Sequence, residues 1–148
     1  MSNTAPSRSR GLGRVLILVY GLLALAATGR SVYQILADFD KAPLAYVLSA
    51  LAGTIYIVAL IALLVPGRVW YRVAIVTISL ELAGVLVVGL LSLFDPILFE
   101  ATTIWSFFGK GYGFVPLVIP ILGLAWLYIN RPSGPRAATA ELVTNAAV

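Results

Sequence analysis

Two charged residues lie inside otherwise apolar stretches of the sequence, and they are the candidates for chemistry. Glu81 is near the centre of residues 73–94, and Arg30 is in the second half of residues 15–36. An ionised carboxylate at the middle of a membrane costs about 3 kcal/mol or more, so Glu81 requires a partner or a function. Thr77 precedes Glu81 by about one helical turn, which predicts a polar face turned toward the interior of a helix bundle.

Arg30 is the predicted partner of Glu81. An arginine side chain on a helix tilts toward the helix N-terminus, which here means toward the membrane middle. The helical rise leaves the two Cα atoms about 10 Å apart in depth, a gap that two long side chains nearly close. Two interpretations stay open: a structural pair that fixes helix packing, and a proton or cation relay. A relay would lack a second buried carboxylate or a histidine to receive the proton.

The composition excludes most other chemistry. Only 11% of the 148 residues are charged and 61% are hydrophobic, whereas soluble domains carry about 25% charged residues. The absence of Cys and His removes disulfides, thiolate nucleophiles, imidazole bases and nearly every transition-metal site. No nucleophile with a base, P-loop or dinucleotide motif occurs. We therefore expect no enzymatic activity, catalytic residue, cofactor, metal site or small-molecule substrate, and the net charge of +4 is too small for a nucleic-acid surface.

Four long apolar stretches predict the architecture. About 20 apolar residues cross the hydrocarbon core of a bilayer, and stretches of this kind occupy about residues 15–36, 43–66, 70–94 and 113–130. Prolines at their ends, such as Pro43 and Pro66, are typical of helix boundaries. Short connections favour antiparallel neighbours. The sequence thus predicts an all-α membrane protein with a four-transmembrane-helix up-and-down bundle at residues 14–130.

Basic residues predict the orientation of this bundle. Most of them precede the first span, separate the second from the third, or follow the fourth: Arg8, Arg10, Arg14, Arg68, Arg72, Arg131 and Arg136. The opposite loops contain only Lys41 and Lys110. The excess predicts that both termini are cytoplasmic, in a multi-pass protein of the plasma membrane whose arginines meet anionic lipid headgroups. Residues 1–13 and 131–148 are predicted tails, the second flexible.

A secretory signal peptide is the alternative at the N-terminus. Basic residues, an apolar run and the triplet Ala24-Leu25-Ala26 resemble such a peptide and its cleavage site. Cleavage would remove the first span and leave the orientation of the others unchanged.

Residues 95–112 form a loop with an unusually apolar and aromatic composition. Its candidate docking residues for a partner are Phe99, Trp105, Phe107, Phe108 and Tyr112. We expect the loop to lie in the outer membrane interface. It is either a connector resting on the membrane or a docking surface for a neighbouring membrane protein, since clustered aromatic residues commonly anchor interfaces.

Small residues recur every four positions along the second predicted helix. Ala45, Ser49 and Gly53 form a helix-packing face that permits close approach of another helix. The partner helix can belong to the same chain or to a second copy.

Several segments together carry a resemblance to a known family: Val19-Tyr20-Gly21-Leu22-Leu23, Gly29-Arg30-Ser31, Ala42-Pro43-Leu44-Ala45-Tyr46, Trp105-Ser106 and residues 108–116 (FGKGYGFVP). The set resembles a family of small four-helix actinobacterial membrane proteins. One member accompanies the respiratory supercomplex of cytochrome bc complex and cytochrome c oxidase as an association factor. The resemblance implies a non-catalytic accessory subunit, and it assigns no functional residues.

Two functional hypotheses follow. The first is an accessory subunit of a larger plasma-membrane complex, with respiratory complexes as the partner that the resemblance implies. The alternative is a small oligomeric transporter or proton-coupled carrier centred on Glu81.

Overall fold

The computed structural model describes residues 7–99, 101–132 and 142–147, with side chains from residue 11 onward. Its α-helices are α1 (Ser7–Asp38), α2 (Pro43–Leu64), α3 (Arg68–Phe94) and α4 (Val115–Ile129). Short 3₁₀ segments occur at Phe39–Lys41, Pro96–Leu98 and Ser106–Tyr112. The described part of the chain contains no β-strand, which confirms the all-α prediction. Glu100, Arg136 and most of the predicted tails lie outside the described residues.

Proline and glycine mark the helix ends for local reasons. Pro43 is in the first turn of α2, where its missing N–H leaves no helical hydrogen bond unmade. After α2, Gly67 takes a φ of 125°, a conformation that L side chains rarely adopt, and α3 begins at the next residue. Asp95 ends α3, and its Oδ1 accepts a hydrogen bond from the Leu98 amide at 3.2 Å. The connections are therefore short and locally determined.

Consecutive helices pack in antiparallel pairs, and α4 also contacts α1. Near one end of the bundle, Gly53 of α2 lies against Thr28 of α1. At the other end, the Tyr71 hydroxyl of α3 donates a hydrogen bond of 2.9 Å to the Leu127 carbonyl of α4. We call the first the cap end, because residues 101–112, the cap segment, pack there between α3 and α4.

Three segments are long and apolar enough to cross a membrane: Gly11–Lys41, Pro43–Leu64 and Arg68–Phe94. A fourth is obtained only when Ser106–Tyr112 and Val115–Ile129 are counted together, and these two are bent by 99° relative to each other. The 15 residues of α4 rise only about 22 Å, less than the hydrocarbon thickness of about 30 Å. The fourth apolar stretch therefore forms one helix that is too short to cross the membrane alone, and it reaches spanning length only together with the bent 3₁₀ segment before it.

Candidate functional site

Glu81 is completely buried on α3, and its partner is a tyrosine. The Tyr20 hydroxyl of α1 donates a hydrogen bond of 2.7 Å to Glu81 Oε2. Glu81 Oε1 is also buried, and it has no hydrogen-bond partner among the described residues. One carboxyl oxygen is thus held by a second helix, while the other is left unsatisfied.

Tyr20 connects Glu81 to a second buried hydrogen bond. Its ring lies 6.2 Å from the ring of Tyr56 on α2, tilted by 53°. The Tyr56 hydroxyl in turn accepts a hydrogen bond of 2.9 Å from Nε1 of Trp105 in the cap segment. Buried tyrosine and tryptophan usually find partners of this kind. Glu81, Tyr20, Tyr56 and Trp105, here called the buried cluster, join three helices to the cap segment.

Trp105 enters the bundle because α3 has a glycine where the indole lies. A Cβ on Gly84 would be 2.7 Å from the indole ring, so a larger residue there would displace the ring. Trp105 is 2% exposed. Thr103 and Ser106 fix the turn that carries it, since Thr103 Oγ1 accepts from the Trp105 amide at 3.1 Å and Ser106 Oγ accepts from the Thr103 amide at 2.8 Å.

The residues after Trp105 adopt an uncommon backbone conformation. Phe107, Phe108 and Gly109 have φ values of 50°, 61° and 79°, in the left-handed region that is unfavourable for residues with a Cβ. The Phe108 ring lies where a Cβ on Gly89 would be, and Gly109 lies against Pro116 with no room for a side chain. Close packing on glycines therefore stabilises a turn that local backbone preference opposes.

The predicted pairing of Arg30 with Glu81 is wrong. Arg30 Nη2 donates to the Thr102 carbonyl at 2.6 Å and to Thr102 Oγ1 at 2.9 Å, at the edge of the cap segment. Arg30 is half-buried there, so its charge keeps some access to water. Leaving the charge near water costs less than burying it beside a carboxylate, because an ion loses its hydration inside a membrane protein.

The prediction of an exposed aromatic loop requires a similar correction. Trp105 is buried, Phe99, Phe108 and Tyr112 are half-buried against the bundle, and Phe107 is half-buried. Large side chains that are more exposed lie near this end outside the predicted set: Phe94, 84% exposed at the end of α3, Ile97, 86% exposed in the next 3₁₀ turn, and Tyr33 and Leu36 near the end of α1. A docking surface on this side would therefore present aliphatic and aromatic residues other than the predicted set.

The predicted small-residue face lies inside the chain. Ala45, Ser49 and Gly53 are all buried, and a Cβ on Gly53 would lie 3.1 Å from Thr28 Oγ1 of α1. Ser49 donates to the Ala45 carbonyl at 2.9 Å, which satisfies its hydroxyl within the helix. At Gly53 the face serves packing of α1 on α2.

Thr77 is buried on α3 one turn before Glu81. Its hydroxyl donates to the Val73 carbonyl at 2.7 Å rather than to the carboxyl group. Thr77 therefore lines the interior without joining the hydrogen bond of Glu81.

Tyr20 is a partner of Glu81 that the sequence pattern does not predict directly. Two signals pointed to it: a tyrosine inside an apolar span needs a partner for its hydroxyl, and the depth difference between Arg30 and Glu81 was already large. The pairing of Trp105 with Tyr56 could be inferred only by also knowing that the loop turns inward.

The chemistry open to the buried cluster is the sharing of a proton between Tyr20 and Glu81. Across the described residues, no group of three or more His, Cys, Asp or Glu side chains could hold a metal ion. Comparison of the chain with protein-family models, curated proteins and solved structures finds no match.

Proposed function

We propose that the chain is a non-catalytic accessory subunit of a larger plasma-membrane complex. In this proposal it crosses the membrane four times, the fourth time through the bent element, and both termini are cytoplasmic. The distribution of Lys and Arg supports the orientation, because the end of the bundle opposite the cap carries the larger share of arginines. The cap end then faces the outside.

The observation that carries the binding role is a rigid cap beside an exposed apolar edge. Trp105 and Phe108 hold the cap segment against α3 by buried contacts. Immediately before it, Phe94 and Ile97 are almost fully exposed. A partner that binds such an edge does not have to order a flexible loop first, and this lowers the entropic cost of association. In protein interfaces, exposed apolar side chains of this kind pack against the apolar surface of the partner.

The respiratory supercomplex of cytochrome bc complex and cytochrome c oxidase is the proposed partner. This choice is supported by the resemblance of the segments around Tyr20, Arg30, Tyr46 and Trp105, and of residues 108–116, to a family in which one member is an association factor of that assembly. The test is purification of the tagged chain in mild detergent, with haem absorbance measured per mole of tagged protein. We expect cytochrome absorbance in stoichiometric amounts, and a preparation free of haem would overturn the respiratory assignment.

A matched pair of variants tests the proposed edge. Ile97→Ser changes an exposed isoleucine beside the cap, and Ile129→Ser changes one that is 74% exposed at the other end of the bundle. We expect the first to lower the yield of co-purified partner severalfold and the second to leave it unchanged. Equal yields from both variants would place the binding surface elsewhere.

A carrier centred on Glu81 is the second candidate function, and the unsatisfied Oε1 favours it. A buried carboxyl oxygen without a hydrogen-bond partner is uncommon when the carboxyl group serves only to hold helices together. The test is proton-coupled flux in proteoliposomes for the wild type and for Glu81→Gln, which keeps the size of the side chain. Flux that is absent, or unchanged by the substitution, would exclude the carrier.

A further inference from the structure

A cleft of about 540 Å³ opens at the cap end, where α1 meets the cap segment. It has the size of small-molecule pockets, which are about 300–1,000 Å³. Among the described residues its lining contains two cations, hydroxyl groups and two aromatic rings, and no carboxylate. The principal side chains are Arg30, Thr103, Ser106, Phe107, Lys110 and Tyr112.

The cations of this cleft lack acidic partners in the part of the chain that the structure describes. The ion pair found there joins Lys41 and Asp38, in the connection between α1 and α2. Arg30 uses one guanidinium nitrogen, Nη2, for Thr102, and its other nitrogens make no hydrogen bond to a described residue. Lys110 is exposed, and no described carboxylate lies within ion-pair distance of its ammonium group. Two positive charges therefore face the same open space.

The polar groups around these cations divide into two sets. Thr103 and Ser106 are engaged with each other at 3.1 Å and fix the turn of the cap segment. Tyr112 also lines the cleft, and its hydroxyl makes no hydrogen bond to another described residue. A planar guanidinium, an ammonium group and a hydroxyl are together the donors that suit a phosphate group.

Helix length indicates where such a ligand comes from. The 32 residues of α1 rise about 48 Å, well beyond the hydrocarbon thickness of about 30 Å. Arg30 lies eight residues, or about 12 Å, before the end of α1 at Asp38. Counted from Arg14, where the basic residues before the first span end, a core of this thickness ends near residue 34, so Arg30 lies about 6 Å inside the boundary. A long arginine side chain spans that distance to the phosphates of lipid headgroups.

We propose that Arg30, Lys110 and Tyr112 form a binding site for a phosphate group, supplied by the headgroup of an anionic phospholipid. Thr102 positions the guanidinium of Arg30, and Lys110 contributes the second positive charge of the cleft. This assignment is independent of the accessory role, because it concerns lipid and not a protein partner.

The test compares two lysines of the cap end in the full-length protein. Binding of phosphatidylglycerol is measured in mixed micelles by native mass spectrometry for the wild type, Lys110→Gln and the matched control Lys41→Gln. Both lysines are exposed near the same membrane surface, but only Lys110 lines the cleft. We expect Lys110→Gln to weaken binding about fivefold or more and Lys41→Gln to change it less than twofold. Equal losses would show a general surface-charge effect and overturn the site.

A second arm separates the two sources of phosphate. Inorganic phosphate at millimolar concentration is added to the wild type, and the thermal midpoint and the bound phosphatidylglycerol are followed. For a headgroup site we expect little competition and no stabilisation by inorganic phosphate. Stabilisation that is lost in Lys110→Gln would assign the site to free phosphate and overturn the lipid assignment. Arg30→Gln is a supporting variant, used only if its thermal midpoint shows that it folds.

Discussion

The buried cluster differs from the cleft lined by Arg30 and Lys110, here called the cationic cleft, in how deeply an ionisable side chain is buried. In the first, the carboxyl group of Glu81 is fully buried and meets an uncharged tyrosine hydroxyl. In the second, the guanidinium of Arg30 is half-buried and meets uncharged oxygens of Thr102. The guanidinium of α1 and the carboxyl group of α3 thus remain separate, each with an uncharged partner.

The comparison indicates that position along α1 determines which side chain can meet Glu81. Tyr20 and Arg30 are both on α1, ten residues or about 15 Å apart along the helix. Tyr20 lies close enough to bind Glu81, while Arg30 binds Thr102. A neutral hydroxyl loses much less hydration on burial than a guanidinium does. The lower-cost donor therefore lies in the core, and the cation lies half-buried at the edge of the cap segment.

Removing Trp105 should break the buried cluster most severely. Trp105→Ala leaves a large cavity against Gly84 and deprives Tyr56 of its hydrogen-bond donor, so we expect a loss of about 3–5 kcal/mol in the free energy of unfolding. The measurement is unfolding by sodium dodecyl sulfate in mixed micelles. Trp105→Phe is the control, because it retains much of the packing and removes the N–H donor. An alanine variant as stable as the wild type would contradict the inward position of the cap segment.

Tyr20→Phe should have the next largest effect. It leaves Glu81 with both carboxyl oxygens buried and no donor among the described residues, at a cost of about 1–3 kcal/mol. The double variant Tyr20→Phe/Glu81→Leu removes both polar groups and should regain most of that loss. Unfolding in the same micelles measures all three proteins. If the double variant were less stable than Tyr20→Phe, the hydrogen bond would not be the reason for the loss.

The helices were accessible from the sequence because their signals are local. Pro43 and the Pro66-Gly67 pair act through their own backbone geometry, so the limits of α2 could be predicted to within two residues. The small face at Ala45, Ser49 and Gly53 likewise follows from helical periodicity alone.

The inward turn of the cap segment was inaccessible because it depends on distant residues. Phe107 and Phe108 adopt left-handed backbone conformations that no local preference predicts. The turn is stabilised by packing on α3, where Gly89 leaves room for the Phe108 ring and Gly84 leaves room for the indole of Trp105. The predicted pair of Arg30 and Glu81 failed for a related reason, since electrostatic attraction was considered without the neutral donors at each depth.

Thr102→Val, which changes the partner of Arg30 in the cationic cleft, should lower the free energy of unfolding only slightly. The substitution removes the Oγ1 acceptor at 2.9 Å, while the carbonyl acceptor of residue 102 remains. Because this contact is exposed, we expect a loss of less than about 1 kcal/mol. The same unfolding assay measures it, and a loss as large as that of Tyr20→Phe would make the cleft a structural element comparable to the core.

Lys41→Gln should have the smallest effect, although it breaks an ion pair. Lys41 Nζ lies 2.9 Å from Asp38 Oδ1, and the two side chains are 70% and 46% exposed. Water and salt screen such a pair, and ordering two side chains offsets much of the attraction. We therefore expect the unfolding midpoint in 0.5 M NaCl to equal that of the wild type. A clear decrease of the midpoint at that salt concentration would mean that the ion pair stabilises the connection between α1 and α2. Exposed charges would then contribute to stability as the buried cluster does, and the contrast between the two regions would no longer hold.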